Sequence, residues 1–153
     1  AGPLRESLDS LTNADIIIIN GQRDKNFEEK ILKINSNLKI FYSRYKAENL
    51  NEFKDKRLFA LAGIGNPENF FQLIENNNLI IEKKFIFPDH YKFSKSEIQN
   101  IISEAEKRSC EIVMTEKDYF KIKDFNLKNI NYLKVSLVLD EKENLFSMVK
   151  EII

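Results

Sequence analysis

Short apolar runs alternate along this chain with stretches whose apolar residues recur at helical spacing. Ile16 to Asn20 is four β-branched residues closed by the turn pair Asn20-Gly21. Leu38 to Tyr42, Leu58 to Ala62 (ended by Gly63), the more alternating Leu79 to Ile86, Glu111 to Thr115 and Tyr132 to Leu139 have the same β-rich character. Between them, Asn26 to Ile34, Pro67 to Glu75, Ser94 to Arg108 and Leu145 to Ile152 read as helices. Pro67 suits a first helical position, whose N–H lacks a partner anyway. Ser94 and Glu97 have capping-box spacing, and Ile98, Ile101, Ile102 and Ala105 fall on one face behind them. Strands that are apolar almost throughout, alternating with helices, predict an α/β fold: a Rossmann-like layered domain with a mainly parallel sheet flanked by helices.

Length and composition fit that picture. Residues 1–153 read as a single α/β domain, large enough to bury about 68–70% of its unfolded surface. The hydrophobic content of 42% argues against disorder. With 24 Lys+Arg against 24 Asp+Glu, the chain lacks the basic footprint of a generic nucleic-acid binder, and no nucleic-acid partner is expected. The lone Cys110 excludes a disulfide framework and a cysteine-cluster metal site, and suits a reducing compartment; it reads as an inert core thiol. Ile16 to Ile19 falls far short of the ~20 residues a spanning helix needs, so the chain alone is expected to be soluble. It opens at Ala1 without a methionine and turns at Gly2-Pro3, which suggests a fragment or processed piece.

In parallel sheets, ligands gather beyond the carboxyl ends of strands. Three loops there carry candidate chemistry. In Gly63-Ile64-Gly65-Asn66-Pro67, glycines permit close backbone approach and the helix start attracts anions. Glu68 stands where a dinucleotide fingerprint has its third glycine, and no Gly-Lys-Ser/Thr follows. Spacing alone therefore favours a tight turn with no ligand. In Asp89-His90, a carboxylate beside the only histidine can orient it for proton transfer, or both can be solvated; a multi-histidine metal site is excluded, and no metal ligands are assigned. In Thr115-Glu116-Lys117-Asp118, Lys117 can meet a phosphate and Asp118 can cap the following helix, or the turn simply carries surface charge. Arg44 to Arg57 has a net charge of +2 and reads as a solvated face, with a patch attracted to acidic headgroups as the lesser alternative.

Together the loops carry more than each alone. AGPLRE (1–6), ADIIIING (14–21), FALAGIGNPENFF (59–71), FPDHYKFS (87–94) and MTEKDYFKI (114–122) resemble, in wording and order, the tetraacyldisaccharide 4'-kinases of lipid A biosynthesis. From about Asp124 onward the likeness is one of pattern. The resemblance implies a kinase that moves the γ-phosphate of ATP, with Mg²⁺, onto the 4'-hydroxyl of an acylated glucosamine disaccharide phosphate. It also implies work at the cytoplasmic face of the bacterial inner membrane. The family's P-loop nucleotide-binding half, with its Mg²⁺-binding acids and membrane-associated helix, precedes the AGPLRE block. This chain therefore reads as the C-terminal half, with its own N-terminal domain as a partner and no activity alone.

By the same resemblance, His90 faces the cleft and supports an aspartate of the preceding half, the base for the sugar hydroxyl, with Asp89 positioned beside it. Gly63, Gly65, Asn66, Thr115, Lys117 and Asp118 would flank that cleft, facing nucleotide or headgroup. The alternative is a stand-alone, non-catalytic Rossmann-like binding module. A phosphoacceptor receiver-like domain is disfavoured because the third strand ends in Ala62-Gly63 rather than an aspartate.

Overall fold

The elements of the computed structural model, which describes residues 6–152, follow the alternation of the sequence. They are β1 (Ile16–Asn20), α1 (Lys25–Ile34), β2 (Lys39–Ala47), β3 (Arg57–Ala62), α2 (Pro67–Asn76), β4 (Ile80–Ile86), α3 (Lys95–Lys107), β5 (Glu111–Thr115), α4 (Glu116–Ile122), β6 (Ile130–Leu133), β7 (Val135–Leu139) and α5 (Lys142–Ile152). The chain divides into two compact units, with boundaries at Tyr45/Lys46 and Ser136/Leu137. Residues 1–5, including most of the AGPLRE block, lie outside the described residues.

The first unit carries the sheet β1-β2-β7, with β1 parallel to β2 from Ile16↔Lys39 to Asn20↔Ser43. Asp24 caps α1 by accepting from the Phe27 amide at 3.1 Å, and α1 buries Ile31 fully. Asn35, just past the helix, donates to the Ala14 and Leu11 carbonyls at 2.9 and 3.1 Å. Those bonds satisfy loop carbonyls that have no ladder partner.

The second unit is a four-stranded sheet, β4-β3-β5-β6, parallel throughout. Its two central strands are buried on both faces, as continuous apolar runs require. Phe71, Ile74, Leu58 and Ala60 lie in one core cluster; Phe59, Leu61, Ile98, Ile112 and Met114 lie in the other. β4 sits at the edge, and its alternation gives one face to the core and one to solvent. Cys110 is buried, as expected of a core thiol.

Two local expectations change. Tyr132 to Leu139 is not one strand but two, β6 and β7, which lie in different sheets. The break is at Lys134, whose N–H donates to Asn49 Oδ1 (2.8 Å) and whose carbonyl accepts from the Glu48 amide (2.9 Å). Those bonds take Lys134 out of the β5–β6 ladder. The capping box of α3 is also only half formed. Ser94 Oγ accepts from the Glu97 amide at 3.2 Å, but the Glu97 carboxylate accepts from the Tyr91 hydroxyl at 3.1 Å. The charges of 44–57 are largely paired: Arg44 with Asp140, Lys46 with Glu48, Lys56 with Glu111 and Arg57 with Glu82.

Candidate active site

Because β3, β4 and β5 are parallel, their carboxyl ends at Ala62, Ile86 and Thr115 share one edge of the second sheet, and the loops that follow must meet there. The ladder runs one step past β4, where the Phe87 amide donates to the Ala62 carbonyl at 2.9 Å. The turn 63–66, the loop 87–91 and the start of α4 all leave from this edge.

Asp118 is the most constrained group. It sits in the first turn of α4, yet its side chain is 0% exposed. Thr115 is the N-cap, its hydroxyl accepting from the Asp118 amide at 3.2 Å and donating to Asp118 Oδ2 at 2.6 Å. The same Oδ2 accepts from the Gly63 amide at 2.7 Å, and Oδ1 accepts from Lys121 Nζ at 2.6 Å. So Asp118 does not cap α4, nor is it surface charge; the shorter Thr115 reaches the helix amide and frees the carboxylate to turn inward. A buried carboxylate with three charge-assisted donors is well satisfied, and it ties the end of β3 to the start of α4. Lys121 lies one turn along the helix, and its i,i+3 spacing from Asp118 is the signal in the sequence that could have found the pair.

Gly63 is buried in that contact. A Cβ there would stand 3.2 Å from Asp118 Oδ1, 3.4 Å from Phe93 Cζ and 3.5 Å from Phe87 Cβ. Phe87, Tyr91 and Phe93 pack together with ring centroids 4.9 to 5.2 Å apart, forming an apolar wall under the loop. Burial and the hydrogen bond to Glu97 act on Tyr91 in the same sense, the bond more strongly, and push its hydroxyl up.

Asp89 and His90 stand at the rim. Asp89 Oδ1 accepts from the His90 amide at 2.9 Å and from Lys117 Nζ at 3.2 Å, and Oδ2 is 3.7 Å from His90 Nε2. The Lys117 ammonium, with help from the His90 amide, holds the Asp89 carboxyl below the usual carboxylate range. His90 has φ 60°, in the left-handed region, and its side chain is 79% exposed. Gly65 is next to this pair, with its Cβ position 3.5 Å from Asp89 Oδ2. Asn66 is exposed at the N-terminus of α2 and makes no side-chain cap bond.

The expected site residues thus gather at one edge in two groups. Gly63, Thr115 and Asp118 form a buried strut, while Gly65, Asp89, His90 and Lys117 form an exposed rim, with Asn66 at the adjoining helix start. The rim offers an exposed imidazole able to meet a proton-bearing group, and a carboxylate that accepts the His90 backbone amide with its second oxygen 3.7 Å from the ring nitrogen. It does not fit Mg²⁺: the Asp118 oxygens are taken, Asp89 is paired with Lys117, and no cluster of three His, Cys, Asp or Glu stands among the described residues.

A family model described as Tetraacyldisaccharide-1-P 4'-kinase matches residues 1–153. The chain belongs to this kinase family. Among its relatives, the tetraacyldisaccharide 4'-kinase of Pelagibacter ubique is 36% identical over 148 residues, covering 95% of this chain and 47% of the relative. That of Rickettsia peacockii is 37% identical over 145 residues, covering 94% and 44%. A crystal structure of LpxK from Aquifex aeolicus in complex with ATP shares the fold, with a TM-score of 0.59 at 19% identity, over 97% of this chain and 46% of that one. The chain therefore spans under half the length of the 4'-kinases it matches. The family expectation from the Gly-Ile-Gly-Asn-Pro, Phe-Pro-Asp-His and Thr-Glu-Lys-Asp blocks holds, as does the expected α/β fold with a mainly parallel sheet.

Proposed function

We propose that this chain is the C-terminal part of a tetraacyldisaccharide 4'-kinase, which transfers the γ-phosphate of ATP to the 4'-hydroxyl of an acylated glucosamine disaccharide 1-phosphate. The observation that carries this reading is the convergence of Asp89-His90, Gly65-Asn66 and Lys117 on one sheet edge, in a chain of that family. Phosphoryl transfer asks the protein for positioning and for a place to put the hydroxyl proton. His90, exposed and held beside Asp89, supplies the second by supporting an aspartate from the other half of the enzyme. ATP and Mg²⁺ are assigned to that other half; among the described residues the rim itself has no group of three His, Cys, Asp or Glu that could hold the metal.

The first unit supports the same division. Its edge strand β1 is apolar from Ile16 to Ile19, yet Ile18 is 47% exposed, a strand suited to cover from more chain. Contact with the cytoplasmic face of the inner membrane is assigned to the whole enzyme; among the described residues no helix is long and apolar enough to cross a membrane. Alone, this chain neither hydrolyses ATP nor phosphorylates the disaccharide.

His90→Ala tests the reading in the longer enzyme that contains this sequence. It is expected to lower kcat by about 10²–10⁴-fold, the usual contribution of a group that assists proton transfer, with circular dichroism unchanged. An unchanged rate returns His90 to a solvated loop, whereas a longer protein with no kinase turnover at all would favour the non-catalytic module.

A further inference from the structure

The contacts of the rim form a single chain of support. Gly63 and Thr115 hold the Asp118 carboxylate, Asp118 fixes the first turn of α4, and that turn carries Lys117. Lys117 reaches 28 residues back to Asp89, and Asp89 takes the His90 amide. Two lysines stand within one turn of helix, and they have different carboxylates. Lys121 neutralises the buried Asp118 at 2.6 Å, which leaves Lys117 to the exposed Asp89 at 3.2 Å. Both Lys117 and Asp89 are about half exposed, so the pair is not needed to satisfy a buried charge. It spans a turn whose histidine has left-handed backbone geometry, a region that non-glycine residues adopt uncommonly.

We propose that Lys117 is a positioning residue for His90, acting through its ion pair with Asp89, and that the buried Asp118 sets where Lys117 stands. The inference rests on the kinase reading only in assigning His90 to the reaction. It gives Lys117 a different task from that of a phosphate ligand: its ammonium is aimed at a carboxylate of its own chain, the one that accepts the His90 backbone amide.

The test has two arms. In the 153-residue chain, His90 is the only histidine, so its ring and amide signals are identified without ambiguity. Lys117→Met is expected to raise the His90 amide exchange rate about two- to fivefold, the range of an exposed ion pair, and to move the Asp89 titration up toward the ordinary carboxylate range. Lys117→Arg restores both. No change in either signal overturns the proposal, whatever the enzyme does.

In the longer enzyme, Lys117→Met is expected to lower kcat about three- to tenfold with KM for ATP and lipid substrate unchanged, and Lys117→Arg to recover most of it. Combined with His90→Ala, it should add nothing, because both changes remove the same function. A raised KM that adds to the His90→Ala loss marks Lys117 as a phosphate ligand and overturns the proposal. If His90→Ala alone leaves the rate unchanged, the kinase role of His90 falls, while the amide and Asp89 signals still decide whether Lys117 positions it.

Discussion

Two strands of nearly the same apolar character meet opposite fates in this molecule. In β3, Leu58, Phe59, Ala60, Leu61 and Ala62 are all fully buried, because β3 lies inside a four-stranded sheet with helices on both faces. In β1, Ile16 to Ile19 form an equally continuous run, and none of the four is buried. β1 is an edge strand in a sheet of three, and Ile18 is about half exposed. A run apolar on both faces states the environment for which a strand is suited, not the one it has. The second unit meets that demand with its own residues, and the first leaves it open, in keeping with a proposal in which further kinase chain covers it.

Truncation gives the largest effect and separates the two strands most directly. Phe59→Ala should destabilise the second unit by about 3–5 kcal/mol, the cost of emptying a closed core position. Ile18→Ala in the same chain should cost under about 1 kcal/mol, since much of its surface already faces water. Urea unfolding followed by circular dichroism measures both. In the longer enzyme, the Ile18→Ala cost should rise to about 2–5 kcal/mol, the range of a core isoleucine. A small cost in both settings would mean that β1 stays open, and the contrast between the units would be intrinsic to the fold.

The two units also limit their glycines differently. Gly63 is confined by neighbours: a methyl group there would stand tightly at 3.2 Å from Asp118 Oδ1, with Phe93 at the limit of close contact, and Gly63→Ala should cost about 1–3 kcal/mol as overpacking. Gly21, after β1, has nothing within 4 Å of its Cβ position but stands at φ +143°, so Gly21→Ala should cost a similar 1–3 kcal/mol or so through backbone strain alone. Trimming a neighbour tells them apart. Phe93→Leu should recover part of the Gly63→Ala loss and none of the Gly21→Ala loss. Equal behaviour in the two double variants would remove packing as the distinction.

Sequence and structure agree most closely where local chemistry decides the outcome. β1 and β5 fall on Ile16–Asn20 and Glu111–Thr115, Pro67 opens α2, and Ser94 caps α3. The three candidate loops met at one edge because parallel strands bring their ends together. What was not legible depends on partners far along the chain. Lys134 ends β6 because Asn49, 85 residues earlier, takes its amide, and no periodicity in Tyr132 to Leu139 records that. Asp118 sits among Glu116, Lys117 and Tyr119, where the pattern suggests surface; only the approach of Gly63 from another strand makes it a buried strut. The pairing of Lys117 with Asp89 is hidden for the same reason.

The smallest expected effects are those of pH, and they too differ by unit, with opposite signs. Asp89 in the second unit has its carboxyl held down, chiefly by Lys117, so the stabilisation from that pair is present above the unfolded carboxylate value of about 4 and is lost as the pH falls through the lower, folded value. Tyr42 in the first unit is pushed up, first by burial and then by its 2.7 Å hydrogen bond to Glu28. Its contribution is therefore complete below the unfolded tyrosine value of about 10 and is lost as the pH rises through the folded one. Amide protection at His90 should hold from neutral pH down to about 5 and fall below about 4, while protection around β2 stays level there. At alkaline pH the protection around β2 should fall above about 10, as the Tyr42 hydroxyl ionises. In Lys117→Met the acid step at His90 should be greatly reduced, and in Tyr42→Phe the alkaline step should vanish. An acid step of full size in Lys117→Met would show that the rim is held by something other than the ion pair, and would leave Asp89 to support His90 through the backbone bond alone.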